Sequence, residues 1–153
     1  MPDWWDDATW LAMRSADNCA MCADSSLDEN EFSILVASLP TSHVRLVRNQ
    51  THPAYCVVIL REHATDLQDL EPHVLVGFWA DVARAARAVD AVVHPVKIDF
   101  LVMGHRMPHV HAHLFPHYAS DDPLRNVDIS EIGPQPSETS TRATLAALRA
   151  VLA

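Results

Sequence analysis

His109-Val110-His111-Ala112-His113-Leu114-Phe115 places histidine at every second position, with one apolar residue between each pair. Alternation of period two marks a strand, because successive side chains of a β-strand point to opposite faces. His109, His111 and His113 would share one face, and Val110, Ala112 and Leu114 the other. Each two-residue step covers about 6.6 Å, so the outer histidines stand about 13 Å apart along the backbone. A zinc ion holds imidazole nitrogens at about 2.1 Å. Three side chains spread over that length are poorly placed to share one ion, so their roles divide.

The segments around this strand alternate between the two regular periods. Val96–Met103 is rich in β-forming residues and reads as the preceding strand. Residues 71–93 carry apolar positions at three- and four-residue spacing (Leu75, Phe78, Val82, Ala86, Val89), the pattern of an amphipathic helix. Pro72 suits its first turn, and Pro95 cannot continue it. Tyr55–Leu60 is a nearly unbroken apolar run, suited to a strand buried on both faces. Phe32–Ala37 and His43–Val47 read as a hairpin interrupted at Pro40. Residues 4–15 form a short helix carrying Trp4 and Trp10, for which plain packing is the simplest role. Cys19 to Cys22 follow as a turn. Residues 119–136 hold three prolines and several acids and form a loop. Residues 137–153 form a terminal helix with Leu145, Leu148 and Leu152 on one face. The order β-β-β-α-β-β with terminal helices predicts an α+β fold: an antiparallel sheet of about five strands, a long helix packed on it and a C-terminal helix. The whole chain, 1–153, reads as one domain with its core in 19–118.

Bulk composition narrows the function. Of 153 residues, 49% are hydrophobic and 20% charged, an ordinary globular balance. No segment reaches the roughly 18 apolar residues that span a bilayer. The N-terminus is acidic and aromatic, unlike a secretory signal, so the cytoplasm is the expected location. A formal charge of -9 argues against a nucleic-acid partner. It leaves room for a small phosphate ligand in a locally positive pocket. Three glycines exclude a Walker loop and a dinucleotide-binding glycine fingerprint. Any phosphate must then be held by side chains and a few amides. Three cysteines make no disulfide scaffold. Cys19 and Cys22 form a C-x-x-C pair, half of a tetrahedral metal site or simply two reduced thiols in a turn. Ten histidines against eleven lysines and arginines place the unusual chemistry in imidazole. Four of them (His43, His52, His73 and His94) belong to no constellation and read as surface residues.

His109-Val-His-Ala-His-Leu-Phe115 resembles the signature of the histidine triad (HIT) superfamily, His-φ-His-φ-His-φ-φ with φ apolar. Tyr55-Cys-Val-Val-Ile-Leu-Arg-Glu-His63 looks like that family's third strand with its closing basic residue and histidine. Lys97-Ile-Asp-Phe-Leu-Val-Met-Gly104 looks like the strand before the triad. The early Cys19-x-x-Cys22 is found in many bacterial members, and the resemblance covers about residues 19–118. It implies a nucleotide-binding hydrolase in which His111 attacks the α-phosphorus of a nucleotide, forming a nucleotidyl-histidine that water then resolves. The substrate would be a phosphoramidate, a dinucleoside polyphosphate or an adenylylated compound. His113 would donate to phosphate oxygens. Alternatives within the resemblance are a nucleotidyltransferase or phosphorylase, and a zinc-stabilised nucleotide-binding regulator with little turnover.

The resemblance also implies a structural zinc ion on Cys19, Cys22, His63 and His109. A closed four-ligand site would hold the strand in place without activating water. Substrate contacts are expected from Phe32, Asp99, Gly104, His105 and His113, and a homodimer is expected. Three positions depart from the family pattern: Asp99 and His105 stand where asparagine is usual or frequent, and His117 where arginine is common. A carboxylate at 99 either repels a phosphate or orients an imidazole.

Overall fold

The computed structural model describes residues 6–153. Trp4 and Trp5 lie outside the described residues. The first helix, α1 (Asp7–Arg14), is capped by Asp6, whose side chain accepts from the Thr9 amide at 3.1 Å. A single 3₁₀ turn leads to α2 (Ala20–Asp24), then β1 (Ser33–Ser38), β2 (Ser42–Val47) and β3 (Cys56–Leu60). The long helix α3 (Pro72–Val93) is followed by β4 (Lys97–Val102), β5 (His111–His117) and α4 (Glu138–Leu152).

The five strands form one antiparallel sheet in the order β1-β2-β3-β5-β4. The central strands β3 and β5 are buried along nearly their whole length, which is why Cys56–Leu60 reads as an unbroken apolar run. On one sheet face Val44, Leu46, Val58, Leu60, Ala112 and Leu114 pack against Phe78, Val82, Ala85 and Val89 of α3. Pro72 opens α3, and His94 closes it in the left-handed conformation at φ 47°. A Cβ on Gly77 would lie 2.6 Å from Thr41 Oγ1, so α3 meets the β1–β2 turn closely only because that position is glycine. Helix α4, capped by Ser137, buries Leu145, Leu148 and Leu152 and packs beside α3 and β1. No helix among the described residues is long and apolar enough to cross a membrane.

The other face carries the candidate site. Arg45 of β2 is fully buried there and is satisfied throughout: it donates to Ser33 Oγ and to the carbonyls of Ser25, Leu27 and Ser33, at 2.6–3.0 Å. A buried guanidinium survives only with such partners. It ties the segment after α2 to the sheet.

Three expectations differ from the structure. The strand of the histidine run begins at His111, two residues later than the alternation predicts. Pro108 precedes the run, and the amides of His109 and Val110 donate to the Met107 and Ala64 carbonyls, so of these two residues only the Val110 carbonyl reaches β3, accepting from the Leu60 amide at 3.0 Å. Cys19–Cys22 is not a plain turn: Cys19 caps the five-residue helix α2, too short to show a period in sequence. His43 is buried, on a strand covered on both faces, with its Nδ1 2.9 Å from Ser38 Oγ. Residues 119–136 are irregular as expected. They are pinned to the β2–β3 turn by Asn49 Nδ2 on the Glu131 carbonyl and by the Gly133 amide on Thr51 Oγ1, both at 2.8 Å.

Candidate functional site

Two arrangements meet on the histidine run. The first is a corner where α2, the end of β3 and the start of β5 converge. Donor atoms of Cys19, Cys22, His63 and His109 all lie within 4.8 Å of one another. Cys19 Sγ is 3.4 Å and Cys22 Sγ 3.6 Å from His109 Nδ1, and Cys22 Sγ is 3.2 Å from His63 Nδ1. The sulfur–nitrogen edge of a tetrahedral zinc site is about 3.6 Å for ordinary bond lengths. Both imidazoles place Nε2 on a backbone carbonyl, His63 on Arg14 at 2.8 Å and His109 on Leu60 at 2.7 Å. With Nε2–H donated, each Nδ1 keeps its lone pair aimed at the sulfurs, the tautomer a metal ligand needs. Burial, and then the neighbouring Cys19 thiol, push the Cys22 thiol up to about 11. Without a cation the Cys22 thiol keeps its proton, so binding a metal there must displace it. The donor set, the spacing and the tautomers are all compatible with zinc.

The second arrangement is a cavity of about 370 Å³ on the same sheet face. His111 and His113 form part of its floor beside Val57 and Ile59 of the adjoining strand and Tyr55 just before it. Strand register sets this: Ile59 faces His111 and Val57 faces His113 across the β3–β5 ladder. Met21, Phe32, Val47 and Ile129 make much of the remaining wall apolar, and Arg106 supplies a cation.

His111 Nδ1 donates to the carbonyl of His109 at 2.5 Å, and His113 Nδ1 lies 2.6 Å from the Tyr55 hydroxyl. Neither Nε2 has a protein partner among the described residues, and neither is sealed from the cavity. Burial holds His111 below the usual imidazole value, opposed by its bond to the His109 carbonyl. Burial, and then His111 itself, push His113 down to about 4. Both rings are therefore neutral near pH 7, and His111 presents a free lone pair to the cavity.

The structure brings together most of the residues singled out from sequence. His105, His111 and His113 line the cavity, and Phe32 stands at its rim, 67% exposed. Gly104 is in the loop that carries His105 and Arg106 but does not line the cavity. Asp99 is not brought there at all: it sits on the exposed edge strand β4, and its Oδ2 is 3.0 Å from His117 Nε2. Of the two roles open to that carboxylate, it orients an imidazole. The two departures at 99 and 117 thus pair with each other. Tyr55 and Ile129 also line the cavity, beyond the residues the sequence singles out. Tyr55 could have been found from the two-residue spacing Tyr55, Val57, Ile59 read against the histidine strand. Ile129 carries no signal, because only the tertiary path of an irregular loop brings it near.

The fold and this pair of arrangements define a histidine triad protein. The HIT domain family matches residues 30–120, and the chain belongs to that family. Solved structures agree in fold. A histidine triad protein of Bradyrhizobium japonicum superposes with a TM-score of 0.70 at 20% identity, covering 78% of this chain and 90% of that one. A zinc-bound histidine triad family protein of Mycobacterium smegmatis gives 0.68 at 22% identity, covering 90% and 95%. A histidine triad nucleotide-binding protein of Sulfolobus tokodaii gives 0.68 at 13% identity, covering 88% and 91%. No curated protein sequence matches the chain.

Proposed function

We propose that the protein is a nucleotide hydrolase that works through a nucleotidyl-histidine on His111. The observation that carries this reading is the bond from His111 Nδ1 to the His109 carbonyl, which leaves Nε2 unprotonated and open to the cavity. The Nε2 lone pair attacks the α-phosphorus, and the bond from phosphorus to the leaving group breaks. The leaving group departs with the electron pair and takes a proton from solvent. The intermediate carries phosphorus on Nε2 and a proton on Nδ1, so the ring is cationic, and the His109 carbonyl stabilises that charge. Water then attacks phosphorus and releases a proton to solvent, the P–N bond breaks with its electrons returning to His111 Nε2, and the nucleoside monophosphate leaves.

The rest of the cavity suits a nucleotide. Apolar walls from Met21, Phe32, Val47 and Ile129 fit a base, and Arg106 and His113 offer donors to phosphate oxygens. Zinc on Cys19, Cys22, His63 and His109 would supply a structural cross-link, holding the residue whose carbonyl orients His111. Three free cysteines fit a reducing compartment, hence the cytoplasm. The chain folds as one domain and pairs as a homodimer. The outer edge of β4, with Phe100 and Val102 exposed beside unpaired backbone groups, is suited to a second copy.

Incubation with adenosine 5′-phosphoramidate and with diadenosine polyphosphates tests the reading. Release of AMP from at least one is expected. Tight binding of AMP with no turnover of any of them would favour a regulatory nucleotide-binding protein instead.

A further inference from the structure

We infer that Tyr55 is a positioning residue for the reaction, fixing His113 as a neutral imidazole that carries its proton on Nε2 and donates it in a hydrogen bond to the substrate's phosphate. The inference rests on the nucleotidyl-histidine reading above.

Tyr55 is placed with unusual care for a residue just outside a strand. Its backbone follows Ala54, which is held in the left-handed region at φ 63°, a conformation that costs a non-glycine residue on the order of 1 kcal/mol. The Gln50 side chain locks that turn: its Oε1 accepts from the Ala54 amide at 2.7 Å, and its Nε2 donates to the Val47 and Tyr55 carbonyls. The ring stacks on Phe115 with centroids 4.1 Å apart. Backbone and ring are thus both fixed, and the hydroxyl ends 2.6 Å from His113 Nδ1.

The hydrogen in that contact can sit only one way if every polar group is to be satisfied. Burial pushes the Tyr55 hydroxyl well above its ordinary value, so it keeps its proton. Among the described residues His113 Nδ1 is its one hydrogen-bond partner. If His113 donated, the buried O–H would have no acceptor, which costs about 1–3 kcal/mol. Tyr55 therefore donates, Nδ1 accepts, and the proton of a neutral imidazole must be on Nε2. That nitrogen is the one left to the cavity. The result is a donor beside a nucleophile: His111 and His113 are the same residue type on the same strand face, with ring centroids 4.9 Å apart. A backbone carbonyl makes one a lone pair, and a tyrosine hydroxyl makes the other an N–H.

Long-range ¹H–¹⁵N spectra of histidine-labelled protein near pH 7, with His113 assigned by His113→Gln, test this without any substrate. His113 is expected as the Nε2–H tautomer in native protein and as a tautomer mixture in Tyr55→Phe. With a turned-over phosphoramidate, Tyr55→Phe is expected to lower kcat about 10- to 100-fold with KM within about threefold, since the bond strengthens as phosphate charge develops. An Nδ1–H tautomer in native protein overturns the inference. So does Tyr55→Phe that keeps the native tautomer, whatever its kcat. If the native protein turns nothing over, the hydrolase reading fails, while the tautomer spectra still decide the link between Tyr55 and His113.

Discussion

The cysteine corner and the cavity use the same side chain in opposite ways. At the corner His63 and His109 give Nε2 to carbonyls and turn Nδ1 toward sulfur. In the cavity His111 and His113 spend Nδ1 on the protein and leave Nε2 to the open space. An imidazole's role here is set by which nitrogen its neighbours occupy, not by its place in the motif. The two regions are joined at one peptide: His109 offers its ring to the cysteine corner and its carbonyl to His111.

Removing the proposed nucleophile carries the largest expected effect. His111→Ala should lower turnover by about 10³-fold or more while metal content, read by elemental analysis, stays near one zinc per chain. Equal loss of metal would mean that the two regions are not separable. Cys19→Ser attacks the other side. It should abolish zinc retention and lower Tm by about 10 °C, as expected for a few kcal/mol in a chain of this size. Turnover should fall only about tenfold, through the displaced His109 carbonyl.

Acid separates the regions more gently. Unfolded histidines titrate near pH 6.5, whereas burial holds His113 near 4 in the folded protein. Between those values the unfolded chain binds more protons, so stability falls as pH drops from about 6.5 toward 4 and levels off below, by at most about 3 kcal/mol from His113. Urea midpoints measured across that window on metal-free protein should show the decline, and His113→Gln should make it shallower, leaving the share of the other buried histidines. The smallest effect belongs to Asp99→Asn. Its partner His117 lies outside the cavity wall, so kcat/KM should change less than about threefold and stability by less than about 1 kcal/mol.

Much of this was legible in the residue pattern, where the pattern had room to repeat. Helix α3 shows several turns of apolar spacing, and the histidine run shows its period on both faces. Cys19, Cys22, His63 and His109 were assembled by resemblance, and the structure brings all four together. What stayed hidden depended on tertiary contact. The delayed start of β5 follows from backbone bonds of His109 and Val110 to Met107 and Ala64. The burial of His43 follows from covering both faces of β2. In sequence Tyr55 is one more apolar member of a buried run, because its hydroxyl has meaning only once β3 and β5 are in register.

The central claim is that His111 becomes covalently bound to the nucleotide. Native protein mixed with excess adenosine 5′-phosphoramidate, quenched in alkali within a turnover and digested for mass spectrometry tests it directly. An adenylyl group on the His111 peptide, formed and consumed at the turnover rate and absent from His111→Ala, is the predicted result. Steady turnover with no adduct, or with the adduct on another residue, would contradict it.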